Sequence, residues 1–390
     1  MSYCDTDIQA KQEEFINDKI AFVNNNSETL AKARKMRKGF SQTLKFNDNT
    51  KQFRKEIKDI KIMIMTATEI ERETLFAFFT RYPKSFDLVE NNVIKRIPYN
   101  GLVYSFFYIN DIKVVHVEPE MTGSNTKGGT AATLKIALED AKPAVVVSVG
   151  VCFGCDYKKQ SLCDVLVGRQ LFTYDKSSKI KGMGLNVKRL HVFESSETLL
   201  YRIKATTMFE DKTTGLFENT FKPHIGNLVT GEFVVDSQEF RDMIFEPFIP
   251  FGIIGGEMEG FGFFSAIKNH NELNPKEKVH GILMKGICDW GVGKNSEETQ
   301  ENAPDNIKQK ETDIPIQTEE SAKDKSKEDT DPDDEKNNLQ TLAMCNACSV
   351  CKRFLIENNF FSDYKNYNGK FFRRIINYFK SKKSTNNLKD

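Results

Sequence analysis

Short, unbroken apolar runs, bounded by glycine, proline or lysine and separated by helical stretches, restrict the fold of this chain more than any other feature. KIMIM (61–65), KVVHV (113–117), KPAVVVSVGVCFG (142–154) and HGILMKGICDW (280–290) are the clearest. Runs of branched and long aliphatic side chains without polar alternation suit strands covered on both faces. LVYSFFYI, DVLVGRQLFTYD and IGNLVTGEFVV read as further strands. Between them, AATLKIALEDA reads as a helix, as does the stretch carrying Leu75, Phe78 and Phe79 at helical spacing. The pattern predicts a three-layer α/β fold, with a mixed, largely parallel twisted sheet flanked by helices.

Composition changes along the chain. Residues 1–58 are rich in Lys, Asn, Gln and Glu, with scattered Phe and Ile, and read as a polar appendage. The domain is expected over residues 59–358, interrupted at about 296–338 by a stretch with almost no large apolar residue. Such a stretch cannot offset its ordering entropy by burial, so it is expected to be disordered. Helical pattern resumes at LQTLAMCNACSVCKRFLI, and residues 359–390 form a basic, aromatic tail.

The 56 basic and 55 acidic residues leave a formal net charge of +1, which argues against a dedicated nucleic-acid binder. No apolar run approaches the roughly 20 residues that a bilayer-spanning helix needs, so stable membrane insertion is not expected. The N-terminus lacks the apolar core of a secretory signal, and a cytoplasmic location follows as an expectation. The eight cysteines are then read as free thiols. Cys152 and Cys155, and Cys345, Cys348 and Cys351, have spacings that resemble zinc sites, but the second set falls on one face of a helix. They read as small buried side chains, and neither metal nor cofactor is expected.

Three acidic constellations follow buried strands, where open α/β sheets place ligands. Glu257-Met258-Glu259 comes after two glycines and before an apolar helix. At a helix N-terminus Glu259 would stay ionised and could accept both protons of a ribose cis-diol, with the Met258 thioether against the sugar. Asp289 ends an apolar strand before Trp-Gly-Val-Gly, a position suited to a general acid on a purine nitrogen. Glu71, with Glu69 nearby, follows the first strand and is placed to hold a water molecule. Taken singly, each has a plainer reading, as first-turn acids or a turn-capping aspartate. The glycine-rich turn with Thr122 and Ser124 suits an anion or a water.

In their order, KIMIMTATEIERE, EPEMTGSNTKGGTAA, KPAVVVSVGVCFG, DVLVGRQLFTYD, GNLVTGEFVVDS, GGEMEG and KGICDWGVGKN resemble the purine nucleoside phosphorylase and nucleosidase superfamily. They look most like its methylthioadenosine/S-adenosylhomocysteine nucleosidase branch, over about residues 61–295 and again from about 340. The resemblance implies a phosphorylase-like fold, a small-molecule purine nucleoside as substrate, and a homodimer or larger assembly. It also implies that Asp289 protonates the purine, Glu259 and Met258 bind the ribose, and Glu71 holds the attacking water. Thr122 and Ser124 fall where the family binds phosphate or places water. Val234 and Val235 fall where the purine edge is read, and Gly150 of the central strand is counted among the substrate-binding residues.

The chain departs from the pattern in places. Its aromatic, Phe233, precedes Val234, where nucleosidases stack an aromatic on the purine, and Cys152 and Phe153 replace small residues after Gly150. Phosphorolytic members carry a Gly-Asp-Pro motif and a phosphate-gripping arginine; here the loop is Thr-Ala-Thr-Glu, followed by Glu71. Acids repel phosphate, so hydrolysis is favoured. Arg72, turned inward, would keep phosphorolysis open, and a silent nucleoside-binding sensor is the reading from another class.

Overall fold

A computed structural model describes residues 5–38, 45–46, 50–81, 94–110, 112–124, 128–175, 178–181, 184–187, 191–206, 213–293 and 332–357. Its centre is a twisted mixed sheet. Strand β1 (Ile62–Met65) is buried at every position. The later strands that position the site are β2 (Ile112–Val117), β3 (Val145–Gly154), β4 (Val165–Thr173), β5 (Pro223–Thr230), β6 (Ile253–Glu257) and β7 (His280–Asp289). β1 lies between β2 and β3, parallel to both, with Met65 opposite Val117 and Ser148. β7 runs parallel to β3 and antiparallel to β4, while β5 is parallel to both β4 and β6.

Alternation along the strands explains the three layers. Met63, Met65, Val146 and Leu283 join one core, together with Leu134 and Ala137 of α4 (Thr130–Ala141) and Phe263 and Phe264 of α6 (Gly260–Leu273). Ile62, Ile64, Val145, Val147, Ile282 and Met284 join the other. That second core takes Leu75, Phe76 and Phe79 from α3 (Glu69–Arg81) and Met344, Cys345 and Cys348 from α7 (Pro332–Glu357). A period of two puts successive side chains on opposite faces, so a sheet apolar on both needs helices on both.

Residues 5–38, which read as a polar appendage, are packed onto this body. α1 (Asp5–Asn25) buries Phe15 beside Tyr157 and Trp290, with ring centroids at 5.0 and 6.0 Å. α2 (Ser27–Lys38) buries Leu30, Ala33 and Met36, one residue per turn, and its Arg37 pairs with Glu73 at 3.1 Å. A few apolar residues at the right spacing suffice to dock a helix that is polar on average. α7 begins at Pro332, within the stretch read from composition as disordered insertion; residues 294–331 and 358–390 lie outside the described residues. Among the described residues, no helix is long and apolar enough to cross a membrane.

Candidate active site

The ends of β1, β3, β6 and β7 meet at a cavity of about 270 Å³. Glu71, Glu257, Glu259 and Asp289 all contribute to its wall.

Glu71 is held by the start of its own helix. Its Oε2 accepts from the backbone N–H groups of Ala67 and Thr68 at 2.6 and 3.2 Å, and the Glu71 N–H donates to Thr68 Oγ1 at 3.3 Å. This reciprocal arrangement is a capping box, with Thr68 at its head. The other oxygen reaches the central strand and accepts from the Val151 N–H at 2.8 Å. Gly150 makes the approach possible, because a Cβ there would stand 2.5 Å from Glu71 Oε1 and 3.0 Å from Lys285 Nζ. Gly150 itself is therefore a spacer under the acids.

Glu257 and Glu259 divide their tasks. Glu257 accepts from the Glu259 and Gly260 N–H groups at 3.0 and 2.9 Å, satisfying donors that the first turn of α6 leaves open. Glu259 instead meets Lys285, whose Nζ lies 3.1 Å from its Oε2 and 3.8 Å from Glu257. Lys285 side-chain exposure is only 1%. Burial alone would push this ammonium down, but Glu259, Glu71 and Glu257 together raise it. Burial likewise pushes the Glu71 and Glu257 carboxyls above their usual range, opposed by Lys285 and reinforced by Glu259. The sequence reading did not single out Lys285. Its signal was available: a cation inside a strand buried on both faces requires carboxylate partners.

Asp289 sits where β7 breaks register. Ile287 pairs with Cys152 and Asp289 with Phe153, so two residues on β7 advance by one on β3. A bulge re-aims side chains, and the consecutive residues Cys288 and Asp289 both reach the cavity. The Asp289 carboxylate accepts from the Gly291 N–H at 2.7 Å and from the Cys288 thiol at 3.2 Å.

The remaining residues separate. Met258, Thr122 and Val234 line the cavity. Ser124 does not; its hydroxyl donates to the Met258 carbonyl at 2.8 Å, and its N–H to Glu232 at 2.9 Å. Val235 is buried at 1% exposure, and Phe233 is 58% exposed and off the wall. Cys152 and Phe153 do line it. Arg72 also lies off the wall, donating to Glu69 at 2.6 Å and to Glu118 at 2.7 Å. Among the described residues, no group of three or more His, Cys, Asp or Glu is placed to hold a metal ion.

No family model matches the chain. It is similar to a curated protein of Amphimedon queenslandica, a "Death domain-containing ATP nucleosidase", with 24% identity over 254 residues. The match covers 62% of this chain and 45% of that protein, so the chain spans about half the length of its relative. Among solved structures, futalosine hydrolase of Helicobacter pylori strain 26695 aligns with 76% of this chain and 98% of its own, at 15% identity and a TM-score of 0.49. The 5′-methylthioadenosine/S-adenosylhomocysteine nucleosidase from Neisseria meningitidis, in complex with methylthio-immucillin-A, aligns with 76% of this chain and 99% of its own at the same identity and score. In the order of its motifs, and in its match to a curated protein named as a nucleosidase, the chain is similar to the purine nucleoside phosphorylase and nucleosidase superfamily.

Proposed function

We propose that the chain hydrolyses the N-glycosidic bond of a purine nucleoside or a derivative of one. The observation that supports this most is the convergence of Glu71, Glu259 and Asp289, distant in sequence, on the wall of one cavity. In this reading the Asp289 carboxyl gives a proton to the purine ring nitrogen and makes the base a better leaving group. Glu259, fixed by Lys285, accepts from the ribose hydroxyls. Glu71, clamped by three backbone N–H groups, holds the water that attacks the anomeric carbon. Positive charge that develops on the ribosyl ring lies between these carboxylates, where an apolar surround strengthens their field. Met258 and Val234 supply apolar contact to the sugar and base.

Water is favoured over phosphate as the nucleophile. A carboxylate stands where an anion would need a cation, and the nearby arginines are engaged, Arg72 by Glu69 and Glu118 and Arg241 by the Trp290 and Cys155 carbonyls. The relative from Amphimedon queenslandica is named for ATP, and a purine ribonucleoside core is the part of that substrate which the three acids address.

The purified chain, given a panel of purine nucleosides and nucleotides in phosphate-free buffer, is expected to release free base. Asp289→Asn is expected to lower kcat by about 10²–10⁴-fold, the usual worth of a general acid, with the thermal transition unchanged. Release that strictly needs phosphate would select phosphorolysis, and ligand binding without release would select a nucleoside-binding module.

A further inference from the structure

Two cations on the cavity wall are unclaimed by the roles above. Lys19, on α1, and Lys336, on α7, both line it. Among the described residues, neither has a carboxylate within ion-pair distance. Among the described residues, the other basic groups around the site are committed, Lys285 to Glu259 and Glu257, Arg72 to Glu69 and Glu118, and Arg241 to the Trp290 and Cys155 carbonyls. The wall is therefore bipolar, with partnered acids at the strand ends and two available ammonium groups where the terminal helices arrive.

Both lysines are held on fixed elements. Asp18, the residue before Lys19, accepts from the indole N–H of Trp290 at 3.0 Å. Phe15, one turn earlier, is buried beside Trp290, and the Arg241 guanidinium lies 4.4 Å from its ring centroid. Lys336 shares one face of α7 with Leu339 and Gln340, three and four residues on, and all three reach the cavity.

We infer that Lys19 and Lys336 hold a phosphoryl group on the 5′ carbon of the substrate, so that the site takes purine nucleotides in preference to nucleosides. The inference rests on the N-glycosidic reading of the same cavity. There, the base faces Asp289, the ribose hydroxyls face Glu259 and the water sits on Glu71. The 5′ carbon is the position on the sugar left to face the helices. A lysine ammonium serves a phosphate as a mobile point charge with three donors, and a pair on separate helices can close on it from two sides.

Equilibrium binding of adenosine, AMP, ADP and ATP to the full chain tests this without depending on turnover. The phosphorylated ligands are expected to bind at least tenfold more tightly than adenosine. Lys19→Gln and Lys336→Gln are each expected to cut that ratio by about tenfold, the order of one charge-assisted hydrogen bond, while the Arg variants keep it. High salt is expected to shrink the ratio as well. Equal affinity for adenosine and AMP, or Gln variants that weaken both ligands alike, would overturn the assignment. So would base release from adenosine that needs inorganic phosphate and loses that need in the Gln variants, since the lysines would then hold a co-substrate. Preference for phosphorylated ligands without base release would instead leave the lysine assignment standing and remove the catalytic reading.

Discussion

Lys285 is the residue on which the acids depend. With its ammonium in place, Glu259 and Glu257 have an ion-pair partner; without it, the buried Glu71 and Glu257 and the half-buried Glu259 are left without that cation. Breaking a buried pair from one side costs about 3–5 kcal/mol, because the remaining charge is uncompensated. Lys285→Met is therefore expected to lower the unfolding free energy, read from urea titration, by that amount near pH 8. The loss depends on pH in a definite sense. Glu71 and Glu257 have folded-state values raised above 4.5, so their contribution to stability is full below 4.5 and falls as pH rises through the folded values. Removing Lys285 raises those values further, which makes the penalty smaller at pH 5 than at pH 8. Lys285, itself raised above 10.5, adds stability that is present below that value and lost only in alkali beyond it. A loss independent of pH between 5 and 8 would show that packing, not charge, is what Lys285 supplies. At this scale the sequence was legible where chemistry and chain order agree, as for the acids, and less so where partners are remote. The Ser124 hydroxyl, read as a ligand group, is taken by a carbonyl 134 residues away, which no local pattern announces.

At the scale of elements, the strands were legible because a sheet covered on both faces writes itself as continuous apolar runs. The docking of α1 and α2 was not, because each buries few side chains, whereas the helical pattern of α7 shows in LQTLAMCNACSVCKRFLI. α1 touches the site through the loop that follows Asp289, and the chain's one tryptophan sits at that contact. Trp290 is only 1% exposed. Asp18→Ala leaves its indole N–H without an acceptor, at an expected cost of about 1–3 kcal/mol. Since Trp290 is the only indole, its emission reports this one contact: a red shift and stronger quenching by iodide are expected in Asp18→Ala, with Asp18→Asn in between. Unchanged emission would mean that α1 does not seal the tryptophan in solution. The bulge at Cys288 was equally hidden, since one extra residue in an apolar run leaves the composition of the run untouched.

At the scale of the molecule, one cavity gathers the sheet, the N-terminal helix and the closing helix, so stability and recognition should fail together when the closing helix is displaced. Gly286 makes this testable. It lies on β7 beneath α7, and a Cβ there would collide with the backbone of Ala343 rather than with a side chain able to turn aside. Gly286→Ala is thus expected to push α7 outward and to lower stability by about 1–3 kcal/mol, the usual cost of overpacking. Leu339, Gln340 and Lys336 ride on the same helix and would withdraw from the wall with it. The variant should accordingly raise KM for any substrate more than it lowers kcat, because none of the site's acids stands on α7. A fall in kcat alone, with KM and the unfolding midpoint intact, would place the effect on the neighbouring Lys285 and show that the closing helix is not part of the binding wall.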